Sequence, residues 1–228
     1  MQWVAVWITF TNILNVASLS HYGWRIVVVV VALAIWFWTQ KLIGAKALIG
    51  SGLGDALHGL TANWHRYLLA HSKVADRLLI GSSLFIDIFG MALIGLAVFG
   101  PTMMPFVALI VLFVLRQICQ GICTLPPPPG IIWRDPGFPS LLVTYGVSND
   151  FFFSGHTALA VLGAIEVSHL APGWLAGLAC TVAVLEAVVV LLLRAHYTLD
   201  IIAGALAAWF ASDVARALTP LVESFLPK

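Results

Sequence analysis

Residues 174–193 read WLAGLACTVAVLEAVVVLLL, an apolar run in which Glu186 is the only charged side chain. At about 1.5 Å of rise per residue, a helix of this length spans roughly 30 Å, which matches the hydrocarbon thickness of a bilayer. The run therefore predicts a helix that crosses a membrane.

The composition of the whole chain extends this prediction. Of its 228 residues, 61% are hydrophobic and 9% are charged, whereas a soluble domain typically has about 45–50% apolar and about 25% charged residues. One core cannot bury this excess, which excludes a soluble enzyme, and a disordered chain is excluded as well. A net charge of +1 argues against a nucleic-acid partner. We expect a multi-pass integral membrane protein.

Further apolar runs predict an all-α membrane protein, a six-transmembrane-helix bundle forming one domain over residues 1–228. The predicted spans are 26–43, 78–99, 103–123, 155–170, 174–193 and 199–218. Near the N-terminus, apolar residues recur every three or four positions from Trp3 to Ala17, with polar residues between them. This pattern predicts an amphipathic N-terminal segment lying in the membrane interface rather than a seventh span.

Two short polar motifs flank the spans 155–170 and 174–193. The first is NDFFFSGHT at residues 149–157, and the second is RAHYTLD at residues 194–200. Because two crossings separate the motifs, both must open on the same side of the membrane. We therefore expect them to form a single site.

The second motif can supply a histidine nucleophile. His196 and Asp200 are four residues apart, so they share one face of a helix. The carboxylate can accept the proton of one imidazole nitrogen and leave the other nitrogen free to attack. His156 could then donate a proton to a departing oxygen, as phosphoryl transfer through a phosphohistidine requires. The alternative is that each histidine is only an interfacial polar residue at a helix end.

The first motif can bind an anion, because unpaired backbone N–H groups lie where a helix begins. Ser154, Gly155 and Thr157 supply backbone and hydroxyl donors there, and Asp150 belongs to the same polar cluster. We expect these four residues to contact the substrate.

Three blocks of sequence resemble the phosphatidic acid phosphatase type 2 (PAP2) superfamily, and look most like its sphingomyelin synthase-like, phosphocholine transferase branch. Residues 116–130 look like that branch's arginine-bearing helix ending in Leu-Pro-x-Pro-Gly. Residues 150–157 are similar to its Asp-Phe-x-Phe-Ser-Gly-His-Thr block, and residues 196–200 to its His-Tyr-Thr-x-Asp block. The resemblance implies His196 as nucleophile, His156 as acid for the leaving group and Asp200 as the partner of His196. It implies no metal and no other cofactor.

Departures from the phosphatase branch favour the transferase branch. The phosphatase branch has Lys followed by Arg-Pro in its first motif, a sequence that does not occur here. It also has Pro where this chain has Phe153, and Arg where this chain has Val190. These differences leave the cationic partner of the phosphate unassigned. Arg116 and Arg194 are candidates, because a guanidinium binds phosphate oxygens in a bidentate fork. Arg194 could equally be an interfacial anchor.

Ionisable residues also occur inside the predicted spans, at Asp87, Glu166 and Glu186. A charge at mid-bilayer is costly, so these acids should face the bundle interior. Each could relay a proton from a lipid hydroxyl, with Asp87 the strongest candidate, or could be a structural acid that pairs with Arg116 or bonds between helices. The histidines outside the motifs we place at the surface or interface: His58, His65, His71 and His169.

Together these features predict a membrane enzyme that moves a phosphoryl or phospho-head group, such as phosphocholine, between lipids. With water in place of a lipid alcohol as acceptor, it would be a lipid phosphatase or a phospholipase C-like hydrolase. A non-enzymatic transporter or scaffold is a further alternative, which the intact histidines and Asp200 disfavour. The positive-inside rule makes the site cytoplasmic, whereas the resemblance implies a lumenal or extracytoplasmic site, so both orientations stay open.

Overall fold

The computed structural model describes residue 38 and residues 53–99, 101–122, 125–143, 145, 151–170 and 172–225. Contacts divide the chain into two units, residues 1–54 and residues 55–228. The helices and the site described below belong to the second unit. Apart from Trp38, the predicted first span lies outside the described residues, and so does the predicted amphipathic N-terminal segment.

Seven α-helices and no strand occur in the described ranges, which confirms the all-α class for this part of the chain. The helices are α1 (Ala56–Leu60), α2 (Ala62–Ala70), α3 (Ser72–Phe99), α4 (Met104–Ile122), α5 (Gly155–Leu170), α6 (Gly173–Leu192) and α7 (Thr198–Ser224).

Four of these helices, α3, α4, α6 and α7, are long and apolar enough to cross a membrane. Helix α5 has the bounds predicted from the sequence but only 16 residues, a rise of about 24 Å, which is short of a bilayer core of about 30 Å. Six spans therefore stay a prediction. Helix α3 begins six residues before the predicted span, because a helix continues into polar residues such as Lys73 that an apolar window leaves out.

Helix α5 is the centre of the bundle, since it contacts α3, α4, α6 and α7. More than half of its residues are buried. Small residues on α7, among them Gly204, Ala208 and Ala211, are buried as well. A Cβ built on Gly204 would lie 2.6 Å from the carbonyl oxygen of Ser154. Small residues thus bring the two helix backbones together, as is typical of helices that pack in membranes.

Two of the interior acids bond between helices. The Ser82 hydroxyl of α3 donates to Oε2 of Glu186 on α6 at 2.6 Å, and both side chains are buried. The Ser212 hydroxyl of α7 donates to Oε1 of Glu166 on α5 at 3.2 Å. These contacts fit the structural interpretation of both glutamates.

Candidate active site

A partly open cavity lies where α5 begins and the loop between α6 and α7 passes over it. Its polar lining includes Arg116, His156 and His196, and its aromatic lining includes Phe113, Trp133 and Phe151. The two histidine motifs, 40 residues apart in sequence, therefore meet at one cavity. This is the juxtaposition expected from counting the crossings between them.

The ring of His196 is fixed by a main-chain carbonyl. Its Nδ1 lies 2.9 Å from the carbonyl oxygen of Phe151, and the side chain is only 5% exposed. A carbonyl can only accept, so Nδ1 carries the proton and Nε2 keeps its lone pair. This is the tautomer that a nucleophilic Nε2 requires.

Asp200 does not supply the hydrogen bond that the sequence suggested for it. Its Oδ2 lies 3.8 Å from Nδ1 of His196, which is too long for a hydrogen bond. That oxygen instead accepts the backbone N–H of Tyr197 at 2.9 Å, within the first turn of α7. The carboxylate is completely buried, and Oδ1 has no hydrogen-bond partner among the described residues.

His156 is the second residue of α5 and is 7% exposed. Its ring meets that of Trp133 edge to face, with the centroids 5.1 Å apart. Nε2 has no hydrogen-bond partner within the described ranges. The ring is therefore packed in place while one nitrogen is left to bond a ligand.

Arg116 reaches the same cavity from α4. Its Nε donates to the carbonyl oxygen of Phe153 at 3.2 Å. A Cβ built on Gly155 would lie 3.1 Å from this Nε, so the missing side chain lets the guanidinium lie against the first turn of α5. Arg116 and Gly155 both line the cavity together with the two histidines.

Ser154 and Thr157 serve the helix instead of lining the cavity. The hydroxyl oxygen of Ser154 accepts the backbone N–H of Thr157 at 3.3 Å and lies 3.1 Å from the Thr157 hydroxyl. Both side chains are at most 2% exposed. This is the geometry of a helix N-cap, and it uses the groups that the sequence assigned to an anion. Asp150, the fourth expected substrate contact, lies outside the described residues.

Arg194 holds the loop in place. Its Nη1 donates to the carbonyl oxygen of Pro129 at 3.0 Å, and its Nη2 lies 3.5 Å from the carbonyl oxygen of His58. These contacts differ from both sequence interpretations, a phosphate contact and an interfacial anchor. The residue adopts a positive φ of 53°, so the chain reverses sharply just before His196.

Asp87 binds main-chain amides. Its two carboxylate oxygens accept the backbone N–H groups of Leu141 and Leu142, each at 2.9 Å. These bonds tie α3 to the segment that follows Pro136. They favour a structural role for Asp87 over a proton relay.

The sequence interpretation missed two buried histidines, His58 and His65, which are 6% and 2% exposed. Nε2 of His58 donates to the carbonyl oxygen of His196 at 3.0 Å, and Nδ1 of His65 donates to that of Leu192 at 2.8 Å. We expected both at the surface or interface, and they are buried and not exposed at the surface, whereas His71 is exposed as expected. Their spacing of seven residues gave no signal, because His58 lies on α1 and His65 on α2 and the two are not on one continuous helix.

Asp55, like His58 and His65, bonds to the main chain next to the site. Its carboxylate accepts the backbone N–H of Thr198 at 2.6 Å and the Thr198 hydroxyl at 2.7 Å. Burial acts to raise the pKa of Asp55, but these hydrogen bonds outweigh burial and lower the pKa below its usual value. The carboxylate thus stays ionised while it holds the start of α7.

Within the described ranges, no group of three or more histidine, cysteine or acidic side chains could hold a metal ion. Nδ1 of His196 lies 3.8 Å from Oδ2 of Asp200, and Nε2 of His58 lies 3.9 Å from Oδ2 of Asp55.

The model of the AtPDCT1/2 family matches residues 55–217. That family is the phosphatidylcholine:diacylglycerol cholinephosphotransferase family, a PAP2-related family of lipid enzymes. No curated protein and no solved structure matches the chain. The matched range runs from Asp55 through both histidine motifs and most of α7.

Proposed function

Because the chain belongs to the AtPDCT1/2 family, we propose that it transfers phosphocholine from phosphatidylcholine to the free hydroxyl of a diacylglycerol. The observation that carries the proposal is the cavity shared by His156, His196 and Arg116. A nucleophile, a proton donor and a phosphate-binding cation are the groups that transfer through a phosphohistidine requires.

In the first half-reaction, Nε2 of His196 attacks the phosphorus of phosphatidylcholine. The new N–P bond forms as the P–O bond to the glycerol oxygen breaks. The departing oxygen takes a proton from His156 and leaves as a diacylglycerol. The hydrogen bond from Nδ1 of His196 to Phe151 stabilises the positive charge that develops on the attacking ring.

In the second half-reaction, the hydroxyl of another diacylglycerol attacks the same phosphorus. Its proton passes to His156, which is neutral after the first step. The N–P bond breaks, and His196 returns with its lone pair. The products are a new phosphatidylcholine and an enzyme in its starting protonation state, so the two steps balance.

Arg116 supplies the positive charge in this scheme. Its guanidinium lies against the first turn of α5, next to His156. A phosphate bound there lies between Arg116 and the two histidines. The charge that builds on the phosphate oxygens in the transition state is then stabilised by the guanidinium.

The test uses purified protein in vesicles that contain phosphatidylcholine with a labelled head group and an unlabelled diacylglycerol of different acyl composition. We expect label in a phosphatidylcholine that carries the acceptor's acyl chains. His196→Ala should abolish transfer, and His156→Ala should lower its rate by at least about 100-fold, the range of general acid catalysis.

The matched controls are His71→Ala and His169→Ala, since both histidines are exposed. Both should transfer label at the wild-type rate. Transfer by His196→Ala at the wild-type rate would refute the mechanism. Release of water-soluble phosphocholine, with no labelled lipid product, would instead identify a hydrolase.

A further inference from the structure

The loop that carries His196, residues 193–197, is held in place by Asp55 and His58, which come about 140 residues earlier in the chain. Nε2 of His58 donates to the carbonyl oxygen of His196 at 3.0 Å. Two residues later, Asp55 binds both the backbone N–H and the hydroxyl of Thr198. The main chain is therefore bound at His196 and again where α7 begins.

We propose that His58 is a positioning residue for His196. This inference rests on the proposed function, because it takes His196 as the nucleophile. His58 is not among the residues that line the cavity. It acts through the main chain of His196, by its hydrogen bond to the carbonyl oxygen of that residue.

His196 is held at two points that come from different parts of the chain. The carbonyl of Phe151 binds the ring, and His58 binds the backbone. With only one of these bonds, the residue could still rotate about that single point of attachment. The two bonds together fix the direction of Nε2. A displacement of about 1 Å at a reacting group can lower a rate about 100-fold.

The donor itself is well fixed. The carboxylate of Asp55 accepts the backbone N–H groups of Leu57 and His58, at 3.0 and 3.1 Å, and so caps α1. The His58 ring also stacks on that of Tyr197, with the centroids 5.8 Å apart and the planes at 28°. Since Nε2 must donate to a carbonyl, neutral His58 carries its proton on Nε2.

Three substitutions separate positioning from folding. His58→Gln places an amide donor near the position of Nε2, His58→Asn has a shorter side chain that does not reach the carbonyl, and His58→Leu has no donor. We expect His58→Gln to keep kcat within about threefold of wild type. His58→Asn and His58→Leu should lower kcat by about 10- to 100-fold while KM changes less than about twofold, because the substrate-binding groups stay in place.

A quenched single-turnover experiment then measures phosphate on His196 directly. We expect phosphohistidine to form at nearly the wild-type rate in His58→Gln and more slowly in His58→Asn and His58→Leu. Equal loss in His58→Gln and His58→Asn, or wild-type kcat in His58→Asn, would overturn the inference. If His58→Leu does not fold, the Gln and Asn pair decides the question alone.

The His196→Ala variant tests the proposed function independently of the positioning role. If that variant still transfers phosphocholine, the proposed function is wrong. If that variant is inactive while His58→Asn has wild-type kcat, only the positioning role is wrong. His71→Asn, at an exposed histidine that follows α2, is the control and should leave kcat and KM unchanged.

Discussion

Substitution of Gly204 by alanine should separate α5 from α7 at the site. A Cβ built on Gly204 lies 2.6 Å from the carbonyl oxygen of Ser154, whereas ordinary contact begins at 3.4 Å, so the backbones must move apart by about 0.8 Å. The obstacle is main chain, which cannot turn away as a flexible side chain can. The same movement strains the hydrogen bond from the Ser154 N–H to the carbonyl oxygen of Asp200, now 3.0 Å long.

The displaced residues lie next to the proposed chemistry, because Ser154 comes two residues before His156 and Asp200 comes four after His196. A shift of this size between two reacting groups predicts a fall in kcat of about 10- to 100-fold. Overpacking at a tight contact also predicts a loss of about 1–3 kcal/mol in the free energy of unfolding.

The measurements are phosphocholine transfer in vesicles and thermal unfolding in detergent. Gly95→Ala is the matched control, since no atom lies within 4 Å of a Cβ built on that glycine of α3. It should keep both activity and unfolding temperature. A Gly204→Ala protein that matches wild type in both measurements would refute the close approach of the two helices.

Two further perturbations test other parts of the site. Arg116→Lys keeps the positive charge but loses the planar guanidinium, so we expect the rate of transfer to fall about 10-fold or more. The control is Arg134→Lys, at an exposed ion pair with Asp76, which should leave the rate unchanged. Equal rates in both variants would contradict the assignment of Arg116. Burial lowers the pKa of His65 below 6.5, so its neutral form stabilises the fold above pH 6.5, and that contribution is lost as the pH falls below 6.5. Unfolding temperature should therefore drop from pH 7.5 to pH 5.5 by more in wild type than in His65→Asn, and an equal drop in both would show that His65 makes no such contribution.

Features that depend on local composition could be predicted from the sequence. The apolar run at residues 155–170 predicted α5 with both of its bounds, because a polar cluster precedes Gly155 and a Pro-Gly pair follows Leu170. The meeting of His156 with His196 followed from counting two crossings between them. Both inferences need only the length and order of apolar segments.

Contacts between distant parts of the chain could not be predicted in the same way. His58 lies 138 residues before His196, and nothing in either segment alone indicates that they meet. A histidine in a mixed polar segment is as compatible with water as with a buried carbonyl. Phe151 shows the same limit: a backbone oxygen 45 residues away takes the bond that side-chain spacing assigned to Asp200.

The shortness of α5 bears on which acceptor the enzyme uses. If the exposed His169 end lies level with one boundary of the hydrocarbon, a rise of about 24 Å leaves the His156 end roughly 6 Å inside the opposite boundary. At this depth the water concentration around the phosphoester is low, whereas a diacylglycerol is already dissolved in the bilayer. Local concentration then favours a lipid alcohol over water as the acceptor in the proposed reaction.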